Sequence, residues 1–192
     1  MTHPYFFGYG SLVNRKTHDY ARAHPARITG WRRAWRHVEG RRVAFLTAVP
    51  APGGLLDGLI AEVPGADWAA LDLRERHYLR ITAEGVEHPL EGAADIQIYH
   101  APEDLHAAAN VLHPVLLSYI DVVVQGYLTE FGEGGVRNFF ATTDGWDAPI
   151  LNDRVGPIYP RHQVLTPEET ALVDHHLETL RVSFVTAGDA GF

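Results

Sequence analysis

The sequence contains no cysteine, so it can form no disulfide, offer no thiolate nucleophile and build no thiolate-based metal site. Arginine far outnumbers lysine, a bias that carries no chemical meaning by itself. No stretch approaches the ~20 apolar residues of a membrane span. The start, MTHPYFFGYG, lacks the basic opening and long apolar core of a secretion signal. A cytoplasmic location with no membrane partner is therefore the expectation. A formal charge of −8 over 192 residues argues against a general nucleic-acid binder. What is present is an ordinary globular composition, 46% apolar, on a chain long enough to bury a real core.

Positive charge is unevenly placed, with seven of the sixteen Lys and Arg between Arg22 and Arg42. That cluster reads first as the solvated face of paired strands, and second as a patch facing an anionic small molecule. Trp31 and Trp35, interleaved with Arg32, Arg33 and Arg36, also admit an RNA- or anion-binding module, which the overall acidity counts against. Twelve histidines invite a metal reading. No HExxH occurs, His175 and His176 fall on different sides of a helix, and His113 and His162 read as loop or helix-end residues. No metal is expected.

The periodicity of the first half is that of strands. Residues 27–38 alternate, with Trp31 and Trp35 on one face and Arg32 and Arg36 on the other. Glu39-Gly40 reads as a turn, 42–49 as the returning strand, 50–54 (PAPGG) as a loop and 57–63 as another strand. Residues 67–76 fit a helix with Asp67 as its cap or first-turn acid. Residues 78–82 and 94–99 read as further strands around a turn-rich excursion over 85–92. The second half is helical in pattern. A helix opens at 102–112 with Glu103 and Asp104 in its first turn, and Pro114 breaks or restarts it. An apolar helical run follows over 115–131, then a short helix over 133–142 and a long loop over 144–161. Thr166-Pro167-Glu168-Glu169 is a helix start with a capping box, and that helix runs to about 181. The fold class expected is α+β: a small mixed β-barrel with one inserted helix and a helical C-terminal half. The chain is read as a single domain, 1–192, with a barrel core over 1–101 and a helical extension over 102–192.

Tyr5-Phe6-Phe7-Gly8-Tyr9-Gly10-Ser11-Leu12 reads as a buried strand running into a tight loop. Gly8 and Gly10 offer backbone freedom and close approach, and consecutive N–H groups in such a turn can attract a carboxylate or an oxyanion. A strand ending in an ordinary glycine turn is the equal alternative from spacing alone. The pattern is neither GxGxxG nor a Walker loop, so phosphate has no special claim.

Taken in order with Gly30-Trp31-Arg32-Arg33 and Leu71-Asp72-Leu73-Arg74-Glu75-Arg76-His77-Tyr78, this YGSL loop resembles the gamma-glutamylcyclotransferase superfamily, nearest its ChaC-like and AIG2-like branches. The resemblance covers roughly the first hundred residues. It implies a C–N bond cleavage by intramolecular aminolysis: the α-amine of a γ-glutamyl group attacks its own γ-carbonyl, closing 5-oxoproline and releasing the attached amine. The partner implied is a small γ-glutamyl molecule, with no cofactor. By the same resemblance Glu75 is the catalytic acid–base, and Tyr9, Gly10, Ser11 and Leu12 line the substrate pocket, chiefly through backbone N–H groups. Without it, Glu75 reads as a surface helical residue paired with arginine. Asp72, three residues earlier on the same face, is the weaker candidate. Arg33 reads as a strand-surface arginine or a carboxylate anchor, and Tyr78 as a packing residue. The family's downstream Tyr after a Gly-rich turn is missing, because Gly134-Gly135-Val136-Arg137-Asn138-Phe139-Phe140 offers Phe. Tyr119 or Tyr127 is the expected substitute, and the departure weakens the case for glutathione as substrate. A non-catalytic binder of small anionic metabolites stays open on the same fold. Asn152-Asp153-Arg154 and Tyr159-Pro160-Arg161 read as a clasp for the tail, or as a lid over a substrate.

Overall fold

A computed structural model of the chain describes residues 4–38, 40–92, 94–102 and 106–192. Its elements run β1 (Pro4–Gly8), β2 (His24–Arg36), β3 (Phe45–Glu62), α1 (Ala69–Arg74), β4 (Leu79–Thr82), β5 (Val86–Glu87) and β6 (Asp95–His100). There follow β7 (Val115–Leu116), α2 (Leu117–Ala141), β8 (Thr143–Asp144), β9 (Ile150–Leu151), α3 (Pro167–Leu180) and β10 (Phe184–Val185).

The aromatic run forms β1, a central strand pairing antiparallel with β3 and parallel with β6. Phe6 and Phe7 point to opposite faces and both are buried, as an unbroken apolar run in a covered strand requires. The sheet order is β4-β6-β1-β3-β2-β5, with β8 alongside β2. Strands β4 and β5 sit at opposite ends of that order, yet only residues 83–85 connect them. Four Cα steps reach at most about 14 Å, so the sheet has to curl until its edges approach. Trp31 on β2 accordingly meets His100 on β6, ring centroids 5.5 Å apart. The result is a curled half-barrel in a mixed α+β fold.

Strands 42–49 and 57–63, expected as separate, are parts of one long β3. Both flanks pair with the 13-residue β2, from Arg36↔Phe45 to His24↔Ile60. The PAPGG segment is absorbed as a bulge: Trp31 pairs with Pro50 and Thr29 with Leu55, so two steps on β2 match five on β3. Gly30 opposite takes φ +82°, a left-handed value that side chains resist.

The helix expected over 102–112 is absent from its described part, residues 106–112. Its first turn, with Glu103 and Asp104, lies outside the described residues, as does Glu39 of the turn after β2. Residues 106–112 are irregular, and Ala107 exchanges backbone hydrogen bonds with His37 (2.9 and 2.8 Å). Covering the end of β2 there outweighs local helix preference. Residues 115 and 116, read as helix, are the strand β7, whose chain enters α2 at Leu117. Gly132 (φ 64°, ψ −169°) divides α2 close to the break read from the sequence. Ile120, Val123, Val124 and Tyr127 of α2 join Phe6, Phe7 and Leu59 in one hydrophobic cluster. The stretch read as a loop over 144–161 contains β9, which pairs in parallel with β7 and β10. Helix α3 starts as read: Thr166 accepts from the Glu169 N–H (3.2 Å) while the Glu169 carboxylate accepts from the Thr166 N–H (2.8 Å). Among the described residues no helix is long and apolar enough to cross a membrane.

Candidate active site

At the end of β1 the chain enters a 3-10 turn, Ser11–Val13. Space rather than left-handed backbone explains the two glycines before it. A Cβ on Gly8 would lie 2.5 Å from the Cβ of Leu12, and one on Gly10 would lie 2.5 Å from the Tyr119 hydroxyl. The first hydrogen bond of the turn runs from Val13 N–H to the Gly10 carbonyl (3.0 Å). The N–H groups of Ser11 and Leu12 therefore stand at its open end. Ser11 N–H reaches the Tyr119 hydroxyl only over a long 3.4 Å.

The turn is fixed from three sides. The Tyr9 hydroxyl donates to the Tyr99 carbonyl (2.6 Å). Its own carbonyl lies 3.0 Å from the Tyr127 hydroxyl. Asn14, buried behind the turn, donates to the Val122 carbonyl (2.9 Å) and to Gln125 Oε1 (3.0 Å) on α2. Gly126 makes that approach possible, because a Cβ there would stand 2.7 Å from the Asn14 nitrogen and 2.9 Å from its Cα.

Helix α1 delivers the acid. The Asp67 carboxylate accepts from Ala69 N–H (3.1 Å), and the buried Leu71 seats the helix on the core. Glu75 follows its last residue, tied back by its N–H to the Leu71 carbonyl (2.9 Å). Glu75 lines a notch of about 30 Å³ together with Tyr9, Gly10, Ser11, Leu12 and Tyr119. All five residues singled out from the sequence thus meet at one place. The notch opens into a vestibule of about 330 Å³ with which it shares Ser11, Glu75, Tyr78 and Tyr119. That volume is at the lower end of what small-molecule sites need.

The Glu75 side chain is 17% exposed. Burial pushes its carboxyl above the ordinary glutamate value, while the charges of Arg74, Arg161 and Arg41 pull it back without cancelling that effect. The helix end invoked from the sequence is not the main cause. A raised carboxyl binds a proton more readily in the folded chain than in the unfolded one. Stability from this group is therefore present below about pH 4.5 and lost as pH rises through the folded value. Glu75→Gln removes that loss. Melting curves across pH should show the variant gaining on the wild type as pH climbs above about 4.5. A difference independent of pH would mean that the carboxylate is not desolvated as described.

Arg74 is the residue that sequence reasoning missed. It donates to the Thr17 carbonyl (3.0 Å), to Ser11 Oγ (3.2 Å) and to Thr17 Oγ1 (3.3 Å), and its Nε stands 3.2 Å from Glu75 Oε1. It thereby joins the acid to the turn. The signal was its place beside Glu75, which on a helix looks like any surface pair.

Other candidates are placed elsewhere. Asp72, its side chain 45% exposed, takes hydrogen bonds from Arg80 (2.9 and 3.3 Å) and from the Tyr99 hydroxyl (2.5 Å). Arg80 foremost holds it below its ordinary value. Arg33 is neither a surface residue nor an anchor for a ligand. It shares the inward face with Trp35, is fully buried, and donates to Tyr127, Thr142, Thr143 and the Asp57 carbonyl. Tyr78 packs edge-on against Phe45 and donates to the Leu46 carbonyl (2.9 Å), and its ring also walls both cavities. Of the two tyrosines weighed on α2, Tyr119 reaches the notch, and Tyr127 lies beneath the turn with its hydroxyl pushed up to about 12 by burial.

The 152–161 loop is anchored at its root, as the clasp reading requires, and here the clasp ties α2 to α3. Asp153 accepts from Ser118 N–H (2.8 Å), Ser118 Oγ (2.6 Å) and Ile158 N–H (2.9 Å). Arg154 grips Asp121 with two hydrogen bonds of 2.8 Å and Asp174 with one of 2.7 Å, clasping α2 to α3. Beyond this base, Tyr159 packs edge-on against Tyr119 (4.9 Å), and Ile158 to Arg161 line the vestibule.

No protein-family model and no curated protein matches the chain. Among solved structures it superposes on a protein described as a gamma-glutamyl cyclotransferase with a TM-score of 0.59 and 16% identity, over 89% of this chain and 98% of the other. A Homo sapiens protein described as uncharacterized, loc79017, superposes with a TM-score of 0.61 and 15% identity, over 91% and 99%. YkqA from Bacillus subtilis gives a TM-score of 0.56 and 18% identity, over 76% of this chain and 57% of that one. At such identities the likeness is one of fold.

Proposed function

We propose that this chain, which has the fold of gamma-glutamyl cyclotransferases, converts a γ-glutamyl group to 5-oxoproline and releases the attached amine or peptide. One observation carries the reading: the desolvated carboxylate of Glu75 faces the open end of the Tyr9–Leu12 turn across a shared notch. The chemistry asks for little more. Nucleophile and electrophile belong to one molecule, and holding them together is worth roughly 7–11 kcal/mol of barrier.

Glu75 takes a proton from the α-ammonium, freeing the lone pair that attacks the γ-carbonyl. Charge develops on the carbonyl oxygen, and the N–H groups of Ser11 and Leu12 receive it. As the C–N bond to the departing amine breaks, a proton passes from the carboxyl to that nitrogen. The second proton of the attacking amine follows, leaving the lactam N–H and restoring the carboxylate. A carboxyl raised above the ordinary glutamate value suits both directions of transfer. Arg74 acts as a positioning residue, holding Ser11 and Glu75 in one frame.

The test is to incubate the protein with a panel of γ-glutamyl peptides and amines and follow 5-oxoproline by mass spectrometry. Catalytic release from at least one is expected. Binding of the panel with no 5-oxoproline formed would make the protein a non-catalytic binder instead.

A further inference from the structure

The vestibule outside the notch is strongly cationic in a chain whose net charge is −8. Arg41, Arg74, Arg76 and Arg161 line it, and Glu75 is its one acid among the described residues. Two of those arginines are occupied. Arg74 is committed to Ser11, Thr17 and Glu75, and Arg76 turns sideways to His77 (3.2 Å). The other two act on Glu75 only through their charge and have no hydrogen-bond acceptor among the described residues. Arg41 lies over the Phe45 ring, 5.0 Å from its centroid, and its Nη1 is buried with no hydrogen-bond partner among the described residues. A buried guanidinium nitrogen without an acceptor is costly. No described residue accepts a hydrogen bond from the guanidinium of the exposed Arg161, which lines the vestibule from the 152–161 loop.

Resting on the cyclotransferase reading, we propose that Arg41 and Arg161 recognise a carboxylate on the departing half of the substrate. The preferred substrates are then γ-glutamyl amino acids or peptides with a free C-terminal carboxylate, in place of γ-glutamyl derivatives of neutral or cationic amines. The turn and Glu75 hold the γ-glutamyl half in the notch. The rest of the molecule extends into the vestibule, where a carboxylate meets the excess of positive charge. A planar guanidinium suits that partner through paired hydrogen bonds. A cationic amine placed there would meet four like charges and one acid.

The test compares γ-glutamyl-alanine with γ-glutamyl-alaninamide, which differ at that one group. For the wild type, kcat/KM for 5-oxoproline release should favour the free acid by at least about tenfold, the low end for a charge-assisted hydrogen bond. The ratio should fall toward one in Arg161→Met and in Arg41→Met. Arg161 is exposed, so its variant remains informative should the Arg41 variant fold poorly. Calorimetric binding of the same pair to Glu75→Gln reads recognition without turnover, and the free acid should again bind at least about tenfold more tightly. Equal handling of acid and amide by the wild type and equal binding by Glu75→Gln would overturn the proposal and leave the cyclotransferase reading standing. A binding preference that both arginine variants abolish, with no 5-oxoproline from either compound, would uphold carboxylate recognition and sink the catalytic reading.

Discussion

Glu75→Gln is expected to fold, to bind γ-glutamyl compounds, and to turn them over at least about a hundredfold more slowly than the wild type. Glutamine keeps the shape of the side chain and an oxygen that can accept from Arg74, whose Nε lies 3.2 Å from the carboxylate. The variant loses only the ability to carry a proton from one nitrogen to another. Positioned acid–base groups typically contribute about 10²–10⁴-fold, so the loss belongs in kcat, with KM changed little. Melting temperature at neutral pH should hold or rise, because the desolvation of this carboxylate outweighs what its arginine neighbours return. Turnover within a factor of a few of the wild type, in a folded sample, would rule out the acid–base role. A collapse in melting temperature would instead make Glu75 a structural residue.

Gly126→Ala should damage both stability and activity without touching any ligand. On helix preference alone, alanine for an interior glycine would add roughly 1 kcal/mol of stability. Here the new Cβ would lie 2.7 Å from the Asn14 nitrogen and 2.9 Å from its Cα, backbone atoms that cannot swing aside. Overpacking of this kind costs about 1–3 kcal/mol. It also pushes α2 away from Asn14, whose amide holds Val122 and Gln125 at 2.9 and 3.0 Å. The net expectation is a melting temperature lower by several degrees, at about 2–4 °C per kcal/mol for a chain of this size. Since α2 carries Tyr119 and Asn14 follows the turn, the notch is distorted as well. Displacements near 1 Å can cost about a hundredfold in rate. A variant as stable as the wild type, or more stable, would contradict the close packing of helix and turn.

What the sequence made legible was local. The aromatic run of β1, the alternation of β2, the Thr166 cap and the break at Gly132 each have a short-range signature, and the structure contains all four. Long-range partners carried no such mark. Nothing in PAPGG says that the strands on either side share one neighbour, and helix preference over 102–112 could not report that Ala107 pairs with His37. Glu75 came into view only through the resemblance of its surrounding motif, since a glutamate between two arginines reads as solvated. Arg33 shows the limit most plainly. Its alternation put it on the face of Trp31 and Trp35, yet its charge argued for the surface, and four neutral acceptors in the core overrode the charge.

The loop that follows β9 is riveted at its root by Asp153 and Arg154, while Tyr159, Pro160 and Arg161 overhang the outer chamber. Root and overhang therefore answer to separate pressures. Substitutions along the overhang can reshape the outer chamber while the riveted root and the inner recess stay as they are. In a lineage built on this frame, drift in a handful of positions would change what the outer chamber admits long before it disturbed the recess behind it.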